Sequence, residues 1–177
     1  MTWLCTFPLM DLRKTILAEH SKAQTNKIIE WVGDSQQRFD ELFNLFLNDE
    51  YRVTQRAGWP LSYIAIAHTH LIKKHFKKLL NNLKKPNLHS SIKRNSIRLL
   101  QHVEVPAIYQ GEIMNLCFDY ISSPDEAVAV KAFSLTVLQN LAKKYPEILP
   151  EIKLIIEERW NYETAAFRSR AKKFFYL

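Results

Sequence analysis

The side chains best suited to bind a ligand are eleven lysines and arginines between Tyr51 and Val103, where the chain has no Asp or Glu. These bases are Arg52, Arg56, Lys73, Lys74, Lys77, Lys78, Lys84, Lys85, Lys93, Arg94 and Arg98. All 18 acidic residues of the 177-residue chain lie outside this stretch. Ammonium and guanidinium groups bind phosphate and carboxylate oxygens, so the stretch predicts contact with an anionic partner.

Six of these lysines lie in the segment LIKKHFKKLLNNLKK, residues 71–85. At helical spacing they form two exposed columns, Lys73, Lys77 and Lys84 beside Lys74, Lys78 and Lys85. Like charges one turn apart repel and slightly destabilise a helix, which favours a polyanion that offsets the repulsion. The alternative is a solvated helix face whose lysine stems cover apolar surface. The sequence leaves both interpretations open.

A basic residue also recurs at a fixed position in four similar segments, EYRVTQRAGWPLSYI, LHSSIKRNSIRLLQH, DEAVAVKAFSLTVLQ and YETAAFRSRAKKFFY. The residues at this position are Arg56, Arg94, Lys131 and Arg168, at intervals of 38, 37 and 37. A base in a repeated position is expected to bond backbone carbonyls or an acid of the neighbouring repeat. Arg98 and Lys172 lie one helical turn after Arg94 and Arg168 and have no such structural role, so they are better candidates to face a ligand.

Trp59 lies between Gly58 and Pro60, one helical turn after Arg56. An indole near Arg52 and Arg56 could stack on a nucleic-acid base. The alternative is packing in the core, which is the usual role of a tryptophan.

No pattern of a catalytic or metal site occurs in the chain. His68 and His70 are two residues apart, so a continuous helix would direct them to different sides. HExxH, CxxC, GxSxG, the Walker loop and the dinucleotide fingerprint are all missing. The sequence therefore predicts no catalytic residue, metal, cofactor or small-molecule substrate.

The elements that position these residues are predicted to be helices. Apolar residues recur at steps of three and one, as in FDELFNLFLND, and no segment alternates with the period of a strand. Only three glycines occur, and Ser21, Ser35 and Asp125 are predicted helix N-caps. The predicted helices span residues 9–19, 21–32, 36–48, 51–67, 72–85, 89–103, 110–121, 125–143, 148–159 and 163–175. The helices that meet near residues 68–72 could run together.

Composition places the chain among ordinary globular proteins, with 47% hydrophobic and 24% charged residues. No apolar run reaches eighteen residues, and the N-terminus lacks the pattern of a secretory signal, so we predict a cytoplasmic protein without membrane contact. Cys5 and Cys117 are far apart, and we expect two free thiols in a reducing compartment.

The repeated segments resemble HEAT repeats in their turn, small or β-branched residue and base followed by a small residue, as in RVTQRAG, AVAVKAF and TAAFRSRA. The resemblance covers residues 36–177, and residues 19–62 are also similar to a family of small, uncharacterised bacterial HEAT-like proteins. The resemblance implies an all-α, right-handed α-α superhelix of about five helix pairs. It also implies one domain over residues 1–177, with a capping pair in 1–35 and four repeats in 36–177. HEAT-like DNA-alkylation-repair glycosylases are more distantly similar in architecture.

Three functions follow as expectations. The first is a non-catalytic scaffold that binds nucleic acid or another polyanion through a basic surface in residues 52–98. The second is an adaptor for an acidic protein, and the third is a relative of the repair glycosylases. A glycosylase needs an Asp within an aromatic, basic groove, whereas an adaptor needs an exposed apolar or charge-complementary patch.

Overall fold

The computed structural model describes residues 10–176, and every regular element in this range is a helix. The α-helices are α1 (Leu12–Ala18), α2 (Lys22–Val32), α3 (Gln36–Asn48), α4 (Tyr51–Ala67), α5 (Thr69–Ile72), α6 (Phe76–Leu83), α7 (Ser90–Leu100), α8 (Ala107–Ser122), α9 (Val128–Ala142), α10 (Leu149–Arg159) and α11 (Ala165–Ala171). Short 3-10 turns span Lys73–His75, Pro146–Ile148 and Lys172–Tyr176. The prediction of an all-α protein of about five helix pairs is confirmed. Cys5 and the predicted start of the first helix at residue 9 lie outside the described residues.

Side-chain oxygens begin several of these helices as predicted. The Ser21 hydroxyl accepts a hydrogen bond from the Gln24 amide at 3.1 Å, and Ser35 caps α3 in the same way. Asp125 was wrong as an N-cap, because α9 begins at Val128 and its N-cap residue is Ala127. The carboxylate next to it, Glu126, accepts a hydrogen bond from the amide of Ala127 at 2.9 Å.

Helix α2 ends at a glycine that the backbone requires. Gly33 has a φ of 50°, in the left-handed region that side chains with a Cβ rarely adopt. Its amide donates to the Ile29 carbonyl at 2.9 Å and so satisfies the end of the helix. The turn that follows leads directly into Ser35 and α3.

The predicted helix over residues 72–85 is interrupted. Helix α4 ends at Ala67, with His68 as its C-cap. The short α5 follows, and a 3-10 turn over Lys73–His75 separates α5 from α6. The α-helix itself covers only Phe76–Leu83, so Lys77 and Lys78 are the two lysines of the segment that lie within it. The other four flank the helix.

The chain divides into two compact units, the first ending at Ile72 and the second beginning at Lys73. In the first unit, α4 packs against α1, α2 and α3. The apolar face predicted for α3 supplies Phe39, Phe43 and Phe46, all buried. Burial of such aromatic side chains is the main source of stability for a packed helix pair.

In the second unit the helices form two layers. One layer contains α6, α8 and α10, which contact one another in that order, and the other contains α7, α9 and α11, with α9 in the middle. Helices α8 and α9 make the most extensive contact between the layers. Ile113, Leu135 and Leu138 lie fully buried between them. Each amphipathic helix pair buries its apolar face against the pairs beside it, so the pairs are stable only as a stack.

Candidate polyanion-binding surface

The first unit holds three of the predicted binding residues, and the structure uses one of them internally. Arg56 is half-buried, and its guanidinium donates to the carbonyls of Leu17 at 2.9 Å and Ile16 at 3.4 Å, at the end of α1. This is the structural role expected of the repeated base. Arg52 is exposed, while Trp59 is half-buried with its ring centroid 5.9 Å from that of His20.

In the second unit, the base that recurs in the structure is defined by its position within its helix. It is not always the residue that the alignment of the four sequence segments selects. The fourth residue of α7, α9 and α11 is Lys93, Lys131 and Arg168 respectively. The ammonium of Lys93 lies 2.6 Å from the Glu126 carboxylate, and that of Lys131 lies 2.7 Å from Glu163. Arg94, which the repeat alignment placed at this position, is one residue too late, because the helix turns it about 100° away into solvent.

The six lysines around α6 are all exposed. Lys84 forms an ion pair with Glu112 of α8 at 2.8 Å. Lys73, Lys77, Lys78 and Lys85 make no side-chain hydrogen bond or ion pair with the residues that the structure describes. For these four lysines, the described residues therefore supply no carboxylate within ion-pair distance.

Helices α7, α9 and α11 contain no Asp or Glu, although α9 and α11 lie beyond the acid-free stretch of the sequence. Sequence reasoning noted only residues 51–103 and missed this wider feature. A comparison of the second helix of each repeat would have shown that all three lack Asp and Glu, and these helices belong to one layer.

Arg170 is the side chain in this layer that sequence reasoning missed. Its guanidinium donates to the Gln101 side-chain oxygen at 3.0 Å and to the Thr136 hydroxyl, and it lies 5.2 Å from the centre of the Phe133 ring. Asn140 donates to the Gln101 carbonyl at 2.9 Å. These contacts connect the surface of α9 to the end of α7 and to α11, on the layer that also carries Arg94 and Arg98.

Lys172, the last predicted binding residue, is exposed at the end of α11. It lines an open cavity of about 350 Å³ together with Trp160, Ala165, Arg168 and Ser169. The structure thus places Lys172 beside Arg168, in the second unit but on a different part of it from the α6 lysines.

The two histidines predicted to diverge instead converge. Because α4 ends at Ala67 and His68 leaves the helical conformation, His68 Nδ1 and His70 Nε2 lie 3.1 and 2.9 Å from the same Asp34 oxygen. The prediction assumed a continuous helix and was wrong for that reason. Among the described residues, no group of three or more His, Cys, Asp or Glu side chains could hold a metal ion.

Cys117 lies buried in α8, as its apolar surroundings in the sequence indicated. Burial raises the pKa of its thiol to about 12. The neutral thiol is a poor nucleophile, so this cysteine has a packing role.

Comparison with known proteins agrees with an all-helical repeat architecture. None of the described helices is both long and apolar enough to cross a membrane. The chain matches no curated protein and no solved structure at a significant level. A family model of the HEAT repeat domain matches residues 12–174, nearly the whole length, and on this ground the chain belongs to the HEAT repeat family.

Proposed function

We propose that this HEAT repeat protein is a non-catalytic scaffold that binds the phosphate backbone of nucleic acid through its exposed basic side chains. HEAT repeats are scaffolds for interactions, and the choice of ligand here rests on charge. The observation that carries the proposal is that five exposed bases on and beside α6 and on α7 have no described carboxylate partner, namely Lys73, Lys77, Lys78, Lys85 and Arg94.

The physical argument concerns what these charges do to the free protein. Lys77 and Lys78 lie in α6, and Lys73 lies in the 3-10 turn that leads into it. So many positive charges on one short stretch of chain create a positive field that opposes the compact free state. Glutamates on neighbouring helices could offset this field, but Glu112 reaches only Lys84. A row of phosphates supplies the missing negative charge and releases the counterions that it holds, which provides affinity.

The layer of α7, α9 and α11 supports the same proposal. Its helices carry Arg94, Arg98 and Arg170 and no acid. Because field strength adds over neighbouring charges, helices that carry bases and no acid favour an extended anion over a single carboxylate. Such contacts fix position on a backbone and do not read bases.

An acidic protein partner is the second candidate function, because HEAT repeats mediate protein interactions and the same bases would bind carboxylates. A repair glycosylase has less support. That activity needs an aspartate among aromatic and basic side chains, and α7, α9 and α11 provide none.

The test is fluorescence anisotropy with a labelled duplex of about 20 base pairs, titrated at several salt concentrations. The variant Lys77→Gln/Lys78→Gln/Lys85→Gln removes three exposed charges that have no described partner. Its matched control is Lys22→Gln/Lys27→Gln/Lys143→Gln, which makes the same change in net charge at exposed positions elsewhere. Gln keeps the helix propensity of Lys close to unchanged.

The proposal predicts that the slope of log K against log salt falls by about 0.9 for each lost phosphate contact in the α6 variant. The control should keep the slope of the original protein, and scrambling the duplex should change little. Absence of binding at about 50 mM salt, or equal losses in both variants, would contradict the proposal. Binding to a polyglutamate competitor in place of the duplex would favour the acidic-protein adaptor.

A further inference from the structure

The ion pairs of the second unit repeat with the helix pairs. Lys93, the fourth residue of α7, pairs with Glu126, and Lys131, the fourth residue of α9, pairs with Glu163. In each case the acid immediately precedes the N-cap residue of the next helix in the layer, which is Ala127 or Thr164. The separations along the chain are 33 and 32 residues.

Solvent is largely excluded from these pairs. The Lys131 and Glu163 side chains are 4% and 3% exposed, and the Glu126 side chain is 8% exposed. A carboxylate in this position is therefore held between one helix pair and the next, where charge pairing is strong and an unpaired charge is costly. The base of one repeat and the acid of the following repeat form a single joint.

Arg168 is the third base in this register, as the fourth residue of α11. It forms no ion pair with the residues that the structure describes. It lies instead in the open cavity of about 350 Å³, with Lys172 one turn later and the Trp160 ring on the wall. Two cations and an aromatic ring thus line a cavity at the register position where Lys93 and Lys131 each bind a carboxylate of the next repeat.

The surroundings of this cavity are apolar as well as basic. Trp160 meets Phe175 edge to face at 6.2 Å between ring centroids, and the two line a second open cavity of about 400 Å³ with Glu157 and Asn161. Phe175 is 44% exposed. In repeat arrays an outward-facing surface that meets only water is polar, so exposed aromatic rings indicate a surface that packs against another element.

We infer that the Arg168 cavity docks a helix of a partner protein that carries a glutamate or aspartate just before its N-terminus. The acid occupies the position that Glu163 takes against Lys131, bound by Arg168 and Lys172, and the partner helix packs on Trp160 and Phe175. This surface uses none of the five bases that carry the proposed nucleic-acid binding, so the two proposals can be tested separately. A phosphate backbone fits it less well, because its aromatic rings would stay uncovered.

The experiment supplies a probe with this chemistry by appending a second copy of residues 140–176 after Tyr176. In this fusion the copied Glu163 follows Arg168 by 32 residues, which equals the separation of Lys131 and Glu163. The copied segment contains α10 and α11, which already pack on the preceding pair in the native chain. Limited proteolysis and circular dichroism report whether the added helices fold against the cavity.

We expect the fusion to gain helical signal and to resist cleavage within the added segment. Arg168→Gln, or Glu163→Gln in the copy alone, should speed that cleavage at least about tenfold, because each removes one partner of a desolvated ion pair. The two changes together should cost no more than either one. Lys173→Gln, an exposed charge nearby, is the matched control and should leave the cleavage rate unchanged.

An added segment that stays unfolded in the original fusion would overturn the inference. So would an Arg168→Gln fusion cleaved at the same rate as the Lys173→Gln fusion, since the joint would then have no role in docking. Neither outcome affects the proposed nucleic-acid binding, which anisotropy measures on other residues.

Discussion

The Lys131 ammonium and the Glu163 carboxylate lie 2.7 Å apart, both buried, and join the α8–α9 pair to the α10–α11 pair. Lys131 also donates to the Pro124 carbonyl at 3.2 Å, and the Arg159 guanidinium lies 2.9 Å from the same Glu163 oxygen. One carboxylate therefore balances two cations inside the second unit. Loss of that carboxylate would leave Lys131 in a dry environment with a single carbonyl partner.

Glu163→Gln should lower the free energy of unfolding by about 3–5 kcal/mol, the usual cost of an uncompensated buried charge. Urea unfolding followed by circular dichroism measures this change. Glu112→Gln, which breaks the exposed pair with Lys84, is the matched control and should cost at most about 1 kcal/mol. The prediction fails if the two variants lose similar stability.

Arg170→Lys should also destabilise the second unit, although it keeps the charge. Both hydrogen bonds, to Gln101 and Thr136, leave one nitrogen, Nη1, of a planar guanidinium that also lies over the Phe133 ring. The compact, strongly hydrated ammonium of a lysine cannot cover that ring in the same way. Loss of hydrogen bonds to a charged group predicts about 1–3 kcal/mol in the same unfolding measurement. Lys173→Ala, a surface change, should stay within about 0.5 kcal/mol. An Arg170→Lys protein as stable as the original would show that these contacts contribute little.

The Asp49 carboxyl should titrate below the ordinary range of an aspartate. Two hydrogen bonds lower its pKa. The larger effect comes from the Arg13 guanidinium, which donates to the Asp49 carboxylate at 2.9 Å, and the smaller from the Glu50 amide, which donates at 2.7 Å. Because the folded pKa lies below the unfolded one, the stabilisation is present at neutral pH and is lost as pH falls from about 4 through the folded pKa. Carboxyl NMR titration measures this, and Arg13→Gln should move the pKa upward. An unchanged pKa in that variant would disprove the assigned cause.

The Cys117 thiol should resist thiol reagents in the folded protein. With a pKa of about 12, almost none of it is thiolate near pH 8, and it is fully buried. In a Cys5→Ser background, a colorimetric thiol reagent should react only as fast as the protein unfolds, and completely in denaturant. Rapid reaction of the native protein would show that α8 opens locally.

The helices could be predicted from the sequence because their signals are local. Apolar spacing placed α3 at its observed bounds, and the Ser21 and Ser35 hydroxyls marked the starts of α2 and α3. The prediction failed where tertiary contacts compete with local preference. At residues 68–75 the chain breaks into α5 and a 3-10 turn, although no glycine or proline occurs there. The Asp34 carboxylate contacts the imidazoles of His68 and His70 and so stabilises the first part of this interruption.

The candidate surface could be predicted only in part, because charge is visible in a sequence but pairing is not. The exposed lysines around α6 were found from composition. The ion pairs were not, since Glu112 lies in α8 and Glu126 in the turn before α9, and their positions against Lys84 and Lys93 depend on packing. For the same reason the alignment chose Arg94 where the fold uses Lys93. Arg170 went unnoticed because its partners, Gln101 and Thr136, are 69 and 34 residues away.

The backbone conformation of the turn after α2 limits which amino acids can replace Gly33 as the sequence evolves. Gly33 holds a φ of 50°, so any other residue there is strained, whereas a Cβ added at Gly111 meets nothing within 4 Å. In a library that randomises both positions and is selected for folded protein, glycine should be retained at residue 33 and replaced freely at residue 111. Alanine at residue 111 should even be enriched, since it restricts the unfolded chain and favours the helix.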